Sequence, residues 1–202
     1  MKLKIEEGRI VFPFSTEINP QTGEMSDYDT HIQRFLSKLT AMFYDREAAE
    51  RYLRENGDVL VYEVFEKNIP EVNGEIRYCL SITYPGKIGD EYFMTKGHLH
   101  ARPDTAELYY CIRGRGYMLM EKKAGEYVIE EMYPGRAVYV PAYYAHRSIN
   151  IGDEPLISLP IYPGDAGHDY GSIEETGFKH VVIERNGKPT VIENPRYGKM
   201  KE

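Results

Sequence analysis

The chain has 202 residues, a formal net charge of −7, 42% hydrophobic residues, two cysteines, 18 tyrosines and no tryptophan. That length serves one large domain, or one domain with a terminal extension, and buries a sizeable core without staples. The acidic balance, with no compensating basic stripe, argues against a nucleic-acid partner, and no apolar run reaches membrane-spanning length.

The start, Met1-Lys2-Leu3-Lys4-Ile5-Glu6-Glu7, lacks the apolar run of a signal peptide, so the expected location is the cytoplasm. Ile32, Phe35, Leu36, Leu39, Met42 and Phe43 recur at helical spacing, which reads either as an amphipathic helix or as extended chain packed on a sheet. A helix is expected over residues 46–54, with Asp45 as N-cap, Glu47 in the first turn and Gly57 beyond the end. From residue 59 the pattern changes to short runs rich in β-branched and aromatic residues. Strands are expected at 59–65, 76–84, 92–95, 107–112, 117–121, 127–132, 137–140, 146–150, 156–162, 180–184 and 190–192. Turn signals stand between them, among them Pro85-Gly86, Lys123-Ala124-Gly125, Pro134-Gly135 and Asn186-Gly187. Such spacing predicts an all-β jelly-roll barrel or sandwich with a few short peripheral helices. The expected division is an N-terminal extension, 1–56, packing on a barrel of residues 57–194, then a tail, 195–202, frayed from Tyr197 onward. Cys79 and Cys111 fall in apolar strand patterns and read as buried reduced thiols, with a mutual disulfide as the alternative. The tyrosine bias suits a β-rich protein with a wet cavity.

The densest chemistry lies in Gly97-His98-Leu99-His100, with Glu107 and His146 further on. On a strand, residues two apart share a face, so His98 and His100 project together. Glu107 follows at a distance that allows a turn back along a neighbouring strand, and His146 opens another strand just after Pro141. Three imidazoles and one carboxylate suit Fe(II), Mn(II), Zn(II) or Ni(II). A His-x-His taken alone is more often a pair of surface or core histidines; the added Glu107 and His146 favour a metal site holding one divalent ion. Lys96 alternates to the opposite face and reads as a solvated charge, and Arg147 as pointing away from the site. His31 and His180 lie outside every motif and read as structural or exposed.

Gly97-His98-Leu99-His100, Glu107 and Gly114, then Gly135, Pro141, His146 and Asn150, resemble the two signature motifs of the cupin superfamily. The gap from His100 to Glu107 is longer than the common cupin spacing, and Tyr143 stands where the general pattern has glycine. One subfamily shares both departures. The blocks Thr95-Lys96-Gly97-His98-Leu99-His100, Tyr139-Val140-Pro141-Ala142-Tyr143-Tyr144-Ala145-His146-Arg147 and Ile161 through Gly171 are similar to the cupin-type glucose-6-phosphate isomerases of archaea. The resemblance runs from about Asp45 to the C-terminus, so the segment before it carries no functional inference.

This resemblance implies a homodimer, one divalent metal per subunit with Fe(II) foremost, and interconversion of glucose 6-phosphate and fructose 6-phosphate in glycolysis and gluconeogenesis. His98, His100, Glu107 and His146 would be the metal ligands. Glu107 is also the candidate base of an enediol route; a direct hydride shift is the other route. The resemblance places Thr95, Gly97 and Ser81 at the phosphate, and His168 near the substrate, assisting ring opening or the O1–O2 proton shuttle. Tyr62, Tyr109, Tyr143 and Tyr162 are candidate pocket tyrosines that offer hydroxyls to a polyol. The rival readings are a mannose-6-phosphate isomerase activity, alone or in addition, a cupin oxygenase, and a non-catalytic sugar-phosphate-binding cupin.

Overall fold

The computed structural model describes residues 3–200. Its strands are β1 (Ile5–Glu6), β2 (Arg9–Ile10), β3 (Thr30–Phe35), β4 (Leu60–Glu66), β5 (Ile76–Thr83), β6 (Lys87–Ile88), β7 (Glu91–Tyr92) and β8 (Glu107–Arg113). They continue as β9 (Gly116–Glu121), β10 (Tyr127–Met132), β11 (Ala137–Val140), β12 (Ala145–Asn150), β13 (Leu156–Pro163), β14 (His180–Arg185) and β15 (Lys188–Glu193). Two α-helices, α1 (Arg46–Asn56) and α2 (Gly171–Thr176), and two short 3-10 turns are the other elements among the described residues. This is the expected all-β class with a few short helices.

A six-stranded antiparallel sheet, in the order β11-β8-β13-β5-β4-β3, faces a three-stranded sheet of β10-β9-β12. The faces meet in apolar contacts: Tyr109, Cys111 and Val138 of the large sheet pack with Met118, Met120 and Met132 of the small one. Nearer the other end, Val61 joins Leu119, Ile149, Phe93, Met94 and Phe178 in the largest core cluster. Each such side chain, fully buried, contributes about 1.5–3 kcal/mol. Among the described residues no continuous ladder closes the two sheets, so the jelly roll takes its sandwich form. A further sheet, β15-β14-β7-β6, flanks it.

The helix of residues 46–54 is present and runs to Asn56. The Asp45 carboxylate accepts the Ala48 N–H at 2.8 Å, and the Gly57 N–H reaches the Leu53 carbonyl at 3.1 Å. Of the two readings of residues 32–43, the extended one holds. Thr30–Phe35 pairs antiparallel with β4 as the edge of the six-stranded sheet, and the chain then turns through 3-10 geometry. Its apolar side chains reach the core from a strand and two tight turns, which is why a helical count fitted them.

Three expectations change. The strand at 92–95 ends at Tyr92; Met94 makes only an isolated bridge to Ile149. Helix α2 has no counterpart in the sequence pattern, since it is six residues long and opens on glycine. The tail is not frayed through residue 200. Met200 is buried against the core, and Arg196 donates to the carbonyls of Ala41 and Phe43. Residues 1–2 and 201–202, the extremes of the start and tail segments, lie outside the described residues. Cys79 and Cys111 are free and buried.

Candidate metal centre and its cavity

The His98–His100 segment is extended chain rather than regular strand. It is held by two bridges: His98 pairs with His146 on β12, and Leu99 pairs with Asp169. The His98 N–H reaches the His146 carbonyl at 3.2 Å, and the His146 N–H returns to the His98 carbonyl at 3.0 Å. Gly97 makes this approach possible. Its φ is +78°, and a Cβ there would meet the Phe178 ring at 2.5 Å and the His146 carbonyl oxygen at 2.9 Å. The same ring carries the Arg147 guanidinium, 4.1 Å from its centre. Arg147 thus points away from the site, as expected, but into the core rather than into water: it is almost fully buried.

Glu107 opens β8 and faces the small sheet. One ligand atom each from His98, His100, Glu107 and His146 lies within 4.8 Å of all the others, and all four residues are buried. The Glu107 Oε2 stands 2.8 Å from His146 Nε2, 3.1 Å from His100 Nε2 and 3.7 Å from His98 Nε2. Donors gripping one ion at about 2.1 Å, at right angles, would stand about 3 Å apart.

Tautomers sharpen this. The Thr105 hydroxyl donates to the Arg102 carbonyl at 2.7 Å, so it accepts from His100 Nδ1 at 2.8 Å. His146 Nδ1 faces the Tyr144 carbonyl at 3.2 Å, which can only accept. Both rings therefore carry a proton on Nδ1 and, when neutral, turn an Nε2 lone pair toward a carboxylate. Lone pair against anion is repulsive unless positive charge lies between them. Burial alone would raise the Glu107 carboxyl, but imidazole N–H donation from His100, then His146 and His98, with positive charge on His146, holds it well below the usual carboxylate range. Burial foremost, then His146, pushes His98 down to about 3. His98 Nε2 is buried with no hydrogen-bond partner. Three imidazole nitrogens converging on an ionised carboxylate, one of them orphaned, are the donor set a divalent cation requires.

The cavity beside these donors has one face of the six-stranded sheet as its floor. Strand parity selects the side chains: Ile32 and Arg34, Tyr62, Val64 and Glu66, Cys79 and Ser81, Glu107 and Tyr109, Pro160 and Tyr162. Thr95, Gly97, His98, Ser148, His168 and Tyr170 form the opposing wall. Of the residues singled out from sequence, Tyr62, Ser81, Thr95, Gly97, Tyr109, Tyr162 and His168 all line this space. Tyr143 does not. It is 61% exposed, at φ +69° in the turn after β11, with its N–H on the Pro103 carbonyl at 2.8 Å. The left-handed backbone accounts for the glycine of the general motif at this position, and it swings the side chain into solvent.

Sequence reasoning missed Arg34, Glu66, Ser148 and Tyr170. Ser148 lies two residues from His146 on the same strand face, a signal that parity alone could have supplied. Lys96 is not freely solvated: it pairs with Glu174 and lies 5.3 Å from the Tyr170 ring centre, tying α2 to the site. His168 meets the His98 ring edge-on, with centroids 4.5 Å apart, and burial foremost lowers its pKa, keeping it neutral. Burial likewise raises the phenols of Tyr62, Tyr109 and Tyr162, so each stays a neutral hydroxyl. His31 and His180 are structural: each pairs with a carboxylate, Glu63 at 2.7 Å and Glu121 at 2.8 Å.

The sequence model of the glucose-6-phosphate isomerase (GPI) family matches residues 33–197. The chain belongs to that family. It is 47% identical over 185 residues to the glucose-6-phosphate isomerase of Thermococcus kodakarensis, covering 92% of this chain and 96% of that protein. It is 46% identical to that of Pyrococcus furiosus, with 93% and 98% covered. A bacterial relative of the same name, from Sinorhizobium medicae, is 40% identical, with 87% and 82% covered. The family match begins within β3 and covers the rest of both sheets.

Proposed function

We infer that this chain is a metal-dependent glucose-6-phosphate isomerase, interconverting glucose 6-phosphate and fructose 6-phosphate in glycolysis and gluconeogenesis. The observation that carries this reading is one cavity joining a buried donor set, three histidines and one glutamate, to walls of neutral hydroxyls. An oxygenase would favour an apolar pocket, and a sensor would have no need of an intact donor set. The donor set is borderline in softness, and we propose Fe(II) as the resident ion, with Mn(II), Ni(II) and Zn(II) as competitors.

His98, His100, Glu107 and His146 would hold the ion. When bound, it supplies Lewis-acid polarisation of the sugar carbonyl. The protein's own part is to orient the sugar and move protons. The Tyr109 hydroxyl, within reach of Glu107, and that of Tyr162 are placed to hold the polyol chain in one conformation. In an enediol route Glu107 takes the C2 proton and returns it to C1. In a hydride route hydrogen passes directly from C2 to C1, and Glu107 serves only as a ligand. In both, neutral His168 is suited to carry a proton between O1 and O2, or to open the ring.

Thr95 is suited to the phosphate. Its Oγ1 accepts the Ser148 N–H at 3.1 Å and the Ser148 hydroxyl at 3.4 Å, which leaves its own O–H free to donate into the cavity. Gly97 and Ser81 complete that end. We propose a homodimer in the cytoplasm. Tyr139, 62% exposed on the free edge strand β11, and Tyr143 beside it support a second copy covering that face. The test is a coupled assay with glucose 6-phosphate and mannose 6-phosphate, before and after chelation and with each metal restored. Turnover of glucose 6-phosphate that falls with chelation and returns with metal is expected. Turnover of mannose 6-phosphate alone would transfer the reading to a mannose-6-phosphate isomerase, and turnover of neither would overturn it.

A further inference from the structure

Among the described residues, Arg34 is the one lysine or arginine that lines the cavity. It stands there through strand parity. On β3, Ile32 and Arg34 lie opposite Val64 and Tyr62 of β4 and face the cavity, whereas His31 and Gln33 turn to the other side and bond to Glu63. The ladder slips between Arg34 and Phe35, so Arg34 is the last residue in regular register. β3 lies four strand positions from β8, which places Arg34 at the end of the cavity away from Glu107.

Three other cations of the chain are already paired. Arg77 sits between Glu71 and Glu66, Lys96 on Glu174, and Arg102 on Asp104 and Asp165. Arg34 instead donates to its neighbour's carbonyl, Gln33, at 3.3 Å, and among the described residues no carboxylate pairs with it. Arg34 is partly buried at the cavity wall and, among the described residues, has no anion against it there. The Tyr62 hydroxyl lies within reach of the guanidinium on one side and of the Lys96 backbone on the other. Lys96 joins Thr95 to Gly97, so Arg34, Tyr62, Thr95 and Gly97 gather at one end.

We propose that Arg34 is the cation that receives the substrate's phosphate and sets the preference for phosphorylated over free sugars. This rests on the sugar-phosphate reading above. A phosphate monoester carries close to two negative charges, and hydroxyls and a backbone N–H do not neutralise them while Glu66 and Glu107 share the same cavity. A guanidinium does so with two parallel hydrogen bonds. The edge strand thereby supplies the counter-charge, and the catalytic end needs no lysine or arginine of its own.

The test compares wild type with Arg34→Met, Arg34→Gln and Arg34→Lys, using glucose 6-phosphate as substrate and inorganic phosphate and sorbitol as competitors. For Met and Gln, the KM for glucose 6-phosphate and the Ki for inorganic phosphate should rise together, by about tenfold or more. The effect should fall on KM more than on kcat, sorbitol inhibition should hold, and Lys should recover part of the loss. A purely structural role would move the phosphate and sorbitol constants alike. Either neutral variant, if folded, decides the matter: unchanged KM and phosphate Ki beside an active wild type overturn the Arg34 assignment alone. A wild type inactive on glucose 6-phosphate overturns the functional reading and this inference with it.

Discussion

The Thr105 hydroxyl stands between two partners in a fixed order: it takes the Nδ1–H of His100 at 2.8 Å and passes its own proton to the Arg102 carbonyl at 2.7 Å. One threonine thereby decides which His100 nitrogen faces Glu107. Thr105→Val removes that acceptor and leaves only the Thr105 carbonyl, 3.1 Å from Nδ1. Loss of such an orienting partner typically weakens metal affinity by about 10–100-fold. With the carbonyl remaining, we expect the lower end of that range, measured by competition with a chelator. Unchanged affinity would mean that the ring is oriented by packing alone.

His146→Ala should strip the bound metal and abolish turnover while the fold survives. The ring touches Glu107 and the His98 ring, but the residue's backbone bonds to His98 do not depend on it. Elemental analysis of the purified variant measures this directly. Metal content equal to wild type would remove His146 from the ligand set.

Thr95→Val should raise the KM for the phosphorylated sugar by about ten- to a hundredfold, the cost of one lost hydrogen bond to a charged group. Part of the cost falls on the protein itself, because Ser148 N–H loses its acceptor. Thr95→Ser keeps the hydroxyl and should stay near wild type. Equal KM for Val and Ser would place the phosphate elsewhere.

Glu91 predicts a pH dependence of stability apart from the metal centre. Burial foremost, opposed by Arg147 and the Tyr44 N–H, pushes its carboxyl from its ordinary 4.5 up to about 7. The folded protein then holds this proton more tightly than the unfolded chain. The resulting stabilisation is complete below pH 4.5 and is lost as pH rises through about 7. The whole span amounts to about 3 kcal/mol. Thermal melts of metal-free protein should show stability falling across that window, and Glu91→Gln should flatten the profile. A wild-type profile already flat there would show that Arg147 keeps Glu91 ionised in the fold.

Much of the site was legible because its chemistry is local in sequence. His98 and His100 sit two apart, and parity from Glu107 reaches Tyr109. Gly97 precedes the pair for a reason that needed coordinates: the Phe178 ring and the His146 carbonyl fill the space where a Cβ would go. Tyr143 shows the opposite case. Its place in a motif block put it among the pocket tyrosines, but a motif position does not report φ, and a left-handed turn carries the side chain outward.

Alternation, turn residues and the spacing of histidines are properties of short stretches, governed by backbone sterics and side-chain type. They sufficed for an all-β body, for helix α1 and for a group of potential metal donors. The join between distant stretches was another matter. Which face of β3 meets the cavity follows from its pairing with β4, a register set by packing across the sheet rather than by residues 30–35 themselves. Arg34 could therefore become a cavity residue, and Arg147 a buried one, only once the sheets had closed over each other.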